Sequence, residues 1–311
     1  MVRFLLTRII LAVVTVWAVC TITFFVAAFA PGDPVALAAG QHSDPETLAR
    51  VRHELGLDVP PAQRYIRYLN ATAHGDLGKT FQDRRPVSEV IRREIPVTAS
   101  LAACAIALAL LVGIVIGVIA SLRPNSIVDR LLTTALLAGV SIPNFVLGPV
   151  LIMAIIKTAA AIPTTGWGEP ANYFLPAVVL AARPAALIGR MTRSSMIETL
   201  AQDYIRTARA KGLAPIRIMV RHALKNALMP VLTTAGVSFG YLLSGSFVVE
   251  SIFRVPGVGY DSIQSLTARD YPLIQGTTLV FATMFVLVNL IVDLMYSWLD
   301  PRVRVGGAAK P

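Results

Sequence analysis

The sequence predicts an all-α membrane protein with six transmembrane helices, both termini cytoplasmic, and a helical extracytoplasmic loop after the first span. Three observations carry that reading. Of 311 residues, 55 % are hydrophobic and only 15 % charged, against about 25 % charged in soluble domains. Five uncharged runs reach 22 residues or more, and each can cross a hydrocarbon core of about 30 Å. The formal charge of +10 is also concentrated in one place. Disorder, collagen-like repeats and a secreted disulfide scaffold are excluded, since Cys20 and Cys104 both lie inside apolar runs.

The first uncharged run is Ile9 to Gly32. Ala28-Phe29-Ala30 has the form of a signal cleavage site, but the run is longer than a signal h-region, so it reads as a retained span. The second run is Ile95 to Leu122 and the third Leu131 to Ile156, where Pro143 and Asn144 can bend the helix. The stretch Pro170 to Ala182 reaches spanning length only when continued through Arg183 to about Ile188. Asn226 to Val249 and Tyr271 to Val292 complete six. With the N-terminus inside, the inner segments sum to +11 and the outer to −1, as the positive-inside rule requires. Residues 183–225 hold most of the excess.

These spans divide the chain into an N-terminus with the first span (1–32), an outer helical loop (33–94), a five-span core (95–300) and a short cytoplasmic tail (301–311). In the outer loop, Ser43-Asp44-Pro45-Glu46 reads as a helix start and Gly56 as its stop. Pro61 starts a second helix with Tyr65, Tyr68 and Leu69 on one face, and Pro86 a third through Val87, Val90 and Ile91. Gly78-Lys79-Thr80 resembles the end of a phosphate-binding loop, but position 73 is Ala where that motif needs Gly. It reads as a turn.

The basic inner loop spans about 191–229. Asp203 can cap a helix that Gly212 ends. Leu200, Tyr204, Ala208 and Lys211 mark one stripe of it. Pro215 opens a second helix with Ile216, Met219, Val220, Ala223 and Leu224 at helical spacing, beside a basic stripe of Arg217, Arg221 and Lys225. By composition this is a helix on anionic headgroups or a docking element for a cytoplasmic partner.

The order of residues separates the two. Asp203-Tyr204-Ile205-Arg206-Thr207-Ala208-Arg209-Ala210-Lys211-Gly212-Leu213, followed by Arg221 to Pro230, resembles the cytoplasmic coupling loop of ABC-importer permeases, most closely the dipeptide/oligopeptide/nickel branch. Further fragments match in order: Pro31-Gly32-Asp33-Pro34, Gly75-Asp76-Leu77-Gly78, Arg190 to Met196, Glu250-Ser251-Ile252-Phe253 with Pro256-Gly257-Val258-Gly259, and Leu299-Asp300-Pro301-Arg302. The superfamily's usual Glu-Ala-Ala before the Gly is replaced by Arg206-Thr207-Ala208. The resemblance implies a non-catalytic permease subunit in a bacterial plasma membrane. Its partners would be a second permease chain, two ABC ATPases that use ATP and Mg, and an external solute-binding protein. No cofactor would bind this chain, and peptides would be the solute. The implied coupling residues are Asp203, Tyr204, Arg206, Ala208, Ala210, Lys211, Gly212 and Leu213.

Ionisable residues inside spans are functional candidates. Arg183 lies ten residues before Arg193, roughly 15 Å deeper, and either faces a passing carboxylate or is structurally paired; Pro184 beside it can open the helix. Ser238, Tyr241, Ser244 and Asn144 are further pathway candidates. Asn289 and Asp293 read as a packing pair, and Gly113…Gly117 and Gly236…Gly240 as close helix contacts. His42, His53, His74 and His222 show no metal-ligand spacing. The competing classes are a channel, which lacks a filter or charge rings here; a secondary transporter, expected to show buried charges and repeats; and an intramembrane enzyme. The last has only Gly236-Val237-Ser238-Phe239-Gly240 to offer, in a continuous apolar run.

Overall fold

A computed structural model describes residues 2–29, 35, 44–54, 56–158 and 162–299. Among them the secondary structure is helical, apart from one isolated bridge between Lys79 and Pro86. The fragments Pro31–Pro34 and Asp300–Arg302, with Ser43, His42 and the tail, lie outside the described residues.

Helix α1 is Val2–Phe29. Helix α2 is Pro45–Glu54, ended by Gly56 at φ +62°, whose N–H reaches His53 while that of Leu57 reaches Arg52. Helix α3 is Pro61–Ala73, with Pro in its first turn. Its Tyr68 stacks on Phe24 of α1, Tyr65 packs tilted against the same ring, and Tyr65 shares a 2.8 Å hydrogen bond with Thr21. Rings at helical spacing on both elements thus pin the outer loop to the first span.

Helix α4 runs without interruption from Val87 to Leu122. The expected boundary at 94/95 therefore falls inside one helix, and the third loop helix and the second span are a single rod. Pro96 sits within it; it removes one backbone donor and does not break the rod. Helices α5 (Ile127–Ser141) and α6 (Asn144–Thr158) form the third span, bent by 108° between them. The bend expected at Pro143 and Asn144 is present: Pro143 disfavours helical geometry at Ile142, which is extended at ψ 117°. Helix α7 is Phe174–Leu200 and continues through Pro184, so no local opening occurs there.

Direction of packing fixes the topology. Gly113 of α4 faces Ala185 and Ile188 of α7, and Gly117 faces Gly189 and Thr192. Residue numbers rise together, so α4 and α7 are parallel. Two parallel helices need a crossing between them, which makes α5 and α6 together a bent span and not a re-entrant loop. A Cβ at Gly113 would stand 2.7 Å from the Ala185 carbonyl oxygen, and one at Gly117 2.5 Å from that of Gly189. The small residues are what allow this backbone approach.

Helix α8 is Asp203–Ala210 and helix α9 is Lys225–Gly245. The latter returns antiparallel to α7: Val231 and Ala235 cluster with Ala185 and Ile188, while Leu242 and Leu243 cluster with Leu175 and Val179. Helices α10 (Phe247–Phe253) and α11 (Val258–Ala268) cover the far end, and α12 (Tyr271–Leu299) runs back along α9, with Gly236 against Val292 and Gly240 against Val288. Among the described residues there are thus five long apolar helices and one bent pair, and residues 201–224 close one end of the bundle, here the basic end.

Two sequence fragments owe their residues to the far end. Gly75 and Gly78 have φ of +81° and +78°, and the Asp76 carboxylate accepts the Gly78 N–H at 2.9 Å, an Asx turn. It sends Leu77 into a cluster with Val87, Ile91 and Leu273. Glu250 is buried, and accepts from Ser246 Oγ at 2.6 Å and from the N–H groups of Gly259 and Tyr260 at 2.8 and 3.1 Å. It caps α11 from another helix. A Cβ at Gly257 would lie 2.5 Å from that carboxylate and one at Gly259 2.8 Å from it. Burial raises the Glu250 pKa above the ordinary carboxylate value, against the lowering effect of these donors and of Thr98.

Candidate functional site: the loop between α7 and α9

The loop is more compact than its sequence suggests, because α7 extends to Leu200 and claims residues 191–200. Gln202 occupies the cap position of α8, and Asp203 is its first helical residue, correcting the expected cap. Asp203 still places an acid in the first turn, where the helix dipole favours it. Its ion pair with Arg206 at 3.2 Å is fully on the surface and adds little.

The C-terminus of α8 is a Schellman turn. The Gly212 N–H donates to Arg209 O at 2.9 Å and the Leu213 N–H to Ala208 O at 3.3 Å. Gly212 has φ +73° with open space around its absent side chain. Glycine is required there for its backbone and not for room.

Ile205 and Ala208 are buried, in a cluster with Met196, Ile218, Ala223 and Ala227. Leu213 packs against the same cluster, and so does Val118 of α4. Ala208 and Leu213, carried over as partner contacts, therefore hold α8 onto the bundle instead. Tyr204, Arg206, Ala210, Lys211 and Gly212 remain exposed. Tyr204 is oriented from below: the Asn226 side-chain amide donates to its hydroxyl at 2.8 Å and to His222 O at 3.2 Å.

After Pro215–Arg217 the chain forms a π-helical turn, Ile218–Leu224. This revises the expected second amphipathic helix. Ile218, Ala223 and Ala227 share the buried face at spacings of five and four, while Ile216 (63 % exposed) and Val220 (51 %) point outward. A wider turn rotates the register, so a 3.6-residue pattern misassigns the face. Arg217, Arg221 and Lys225 are exposed as expected. The loop, with Leu122 and Leu200, borders a cleft of about 570 Å³ lined by Leu213, Ile216 and Arg209 among others.

Behind the loop lies an ion pair that sequence reasoning did not single out. Arg193 of α7 holds Asp129 of α5 through Nε and a terminal nitrogen, both at 2.6 Å. Asp129 is buried and also accepts from the Asn125 N–H and from Thr133. Ser126 caps α5 by accepting the Asp129 N–H. Ser126-x-x-Asp129 was the available signal.

The pathway candidates do not form one cluster. Ser238 is buried in α9, whereas Tyr241 is exposed with its ring 6.0 Å from Phe285. Asn144 is half-buried at the break of the third span. Arg183 is exposed on α7. Asn289 donates to Phe285 O at 2.9 Å and borders a groove with Arg8 and Thr15 of α1. The side chains of Ser244 and Asp293 lie outside the described residues.

Residues 113–305 match the family described as "Binding-protein-dependent transport system inner membrane component", and residues 1–102 match its N-terminal counterpart. The chain is 40 % identical over 336 aligned residues to the dipeptide transport system permease protein DppB of Escherichia coli (strain K12), covering 98 % of this chain and 99 % of that one. It is 38 % identical to the glutathione transport system permease protein GsiC of Salmonella paratyphi A, with the same coverage. Among solved structures, the MetNI methionine ABC transporter in inward-facing form aligns with a TM-score of 0.53 at 20 % identity, over 68 % of this chain and 96 % of that one.

Proposed function

Since the chain belongs to the family of binding-protein-dependent transport system inner membrane components, we propose that it carries short peptides inward, as one of two permease chains around a shared path. It is a multi-pass inner-membrane permease of an ABC importer. Peptides are the solute class named for one relative, and glutathione, itself a peptide, for another. The chain carries out no catalysis and binds no cofactor. Two ATPase subunits use ATP and Mg, and an external binding protein delivers the solute to the end that carries α2, α3 and α11.

The observation that carries the coupling role is the exposed face of α8. Tyr204, Arg206, Ala210 and Lys211 project from a helix of eight residues held by a separate buried face and closed by a Schellman turn. A short helix built this way is a rigid handle: force on it passes through Ile205, Ala208 and Leu213 to α4, α7 and α9. Closure of the ATPases on the handles would rock the spans between two access states. The excess positive charge of the basic end supports a cytoplasmic position for it, on the side where the ATPases would dock.

Affinity-tagged protein, extracted in mild detergent from its native membrane, is expected to bring with it a homologous permease and one or two ATPases. Repeated recovery of the chain alone would replace this reading with that of a self-sufficient channel, carrier or intramembrane enzyme.

A further inference from the structure

One face of α7 changes character partway along its length. Residues 176, 180, 183, 187, 190 and 194 follow one another at spacings of three and four and so share a face. Pro176 and Leu180 are buried, Leu180 in the apolar cluster that includes Phe253 and Val255 beside α10. From Arg183 toward the basic end the same face is open: Arg183, Arg190 and Ser194 are exposed and Leu187 is half-buried. The remaining faces are taken. Helix α4 meets α7 at Gly113 and Gly117, α5 meets it at Gly139 and Leu136, and α9 packs on Ala181, Ala185 and Ile188.

That open strip does not have the chemistry of a lipid-facing surface. In α7, 56 % of the apolar stretch is buried inside the chain, against 11 % in α1. Helix α1 exposes Ile9, Ile10, Val13, Val14 and Trp17, as a helix in lipid should. Helix α7 exposes two arginines, and a cation at that depth in hydrocarbon is strongly disfavoured. Neither Arg183 nor Arg190 has a hydrogen bond or ion pair among the described residues, whereas Arg193, roughly 15 Å from Arg183, is fully engaged with Asp129. The strip thus combines cations whose donors are unspent with an apolar flank at Leu137 and Val140 of α5, and it ends at the α10 cluster.

We propose that the face of α7 from Arg183 to Ser194 is the anion-attracting wall of an aqueous vestibule opening to the basic end, and that Arg183 at its closed end engages the carboxylate of the solute in transit. A guanidinium presents paired N–H groups that match the two oxygens of a carboxylate. Arg190, two turns below, receives the same group as it leaves. The identity of the carboxylate bearer rests on the peptide reading above; the anionic preference of the wall does not.

The test uses the assembled transporter in proteoliposomes, with Cys20→Ala and Cys104→Ala as background. Leu187→Cys places a thiol between the two arginines. An anionic methanethiosulfonate reagent is expected to modify it about tenfold or more faster than a cationic one, after correction for intrinsic reactivity. Arg183→Gln with Arg190→Gln is expected to bring that ratio near one. No modification by either reagent, or a ratio indifferent to the arginines, overturns the vestibule. Uptake of alanyl-alanine is the second readout: Arg183→Gln is expected to lower it about tenfold, with partial rescue by Arg183→Lys. Unchanged uptake overturns the carboxylate contact. If the unmodified transporter does not take up alanyl-alanine, the peptide reading falls while the labelling ratio still decides the wall.

Discussion

Gly259 shows how a single missing methyl decides a local structure. A side chain there would collide with the Phe247 backbone and crowd the Glu250 carboxylate, so Gly259→Ala is expected to cost about 1–3 kcal/mol, read as a lower melting temperature of the purified complex. Glu250 itself holds its proton more tightly when folded than when unfolded. Its contribution to stability is therefore fullest below its unfolded value of about 4.5 and is lost as pH rises through its raised folded value. Glu250→Gln removes that titration. The difference in melting temperature between the wild type and this variant is expected to shift against the wild type as pH rises through that window. A difference independent of pH would mean that the buried carboxyl does not titrate there. Gly212 obeys the opposite logic from Gly259, since it has space but needs a left-handed backbone. Transport is expected to rank Gly, then Asn, then Ala, then Val at position 212, with Val costing about 1–2 kcal/mol locally and leaving the amount of membrane-inserted protein unchanged.

Among the elements, the third span and the π-helical turn show where sequence patterns stop. Pro143 made a bend legible, but a run of apolar residues carries no measure of angle, and 108° came from the packing of α5 on α7 and of α6 near Ile252 and Phe253. The π-helical turn was hidden because apolar spacing is read against a 3.6-residue period, and a wider turn puts Ile218 inside and Val220 outside. The breaks at Gly56, Gly212 and Pro61 were legible because each rests on a local backbone property that needs no tertiary partner. The pair of Asp129 and Arg193 belongs to the opposite class, joining residues 64 apart. Arg193→Ala would leave the Asp129 carboxylate without its partner and is expected to cost about 1–3 kcal/mol. The double variant with Asp129→Ala is expected to be more stable than that single one, as a thermal-shift cycle would read. A double-variant loss equal to the sum of the two single losses would mean that the pair is not coupled.

For the whole molecule, alternating direction along six crossings is a statement about sidedness. An impermeant maleimide applied to intact cells is expected to label cysteine at Asp58 or Gln82 and to spare cysteine at Lys211 until the membrane is opened. Labelling of Lys211→Cys from outside would invert the bundle. Charge asymmetry is what predicts this sidedness, because it depends only on which loops hold the arginines and lysines. The candidate pathway was less legible. Arg183, Ser238, Tyr241 and Asn144 were chosen for being polar within apolar runs, and polarity alone does not tell which way a helix is turned. Ser238 faces the interior of the chain and Tyr241 does not.

The uninterrupted α4 has a mechanical consequence. Its 36 residues make a strut of about 54 Å, longer than the bilayer core is thick. One end, at Val87 and Ile91, is wedged against Leu77 and Leu273 under the outer loop. The other, at Val118, rests beneath α8. Close to that second end, Gly113 and Gly117 bear directly on the backbone of α7. A stiff beam held near one tip magnifies a small tilt there into a larger displacement of the other, so a push on α8 would be felt most at Val87 and Ile91.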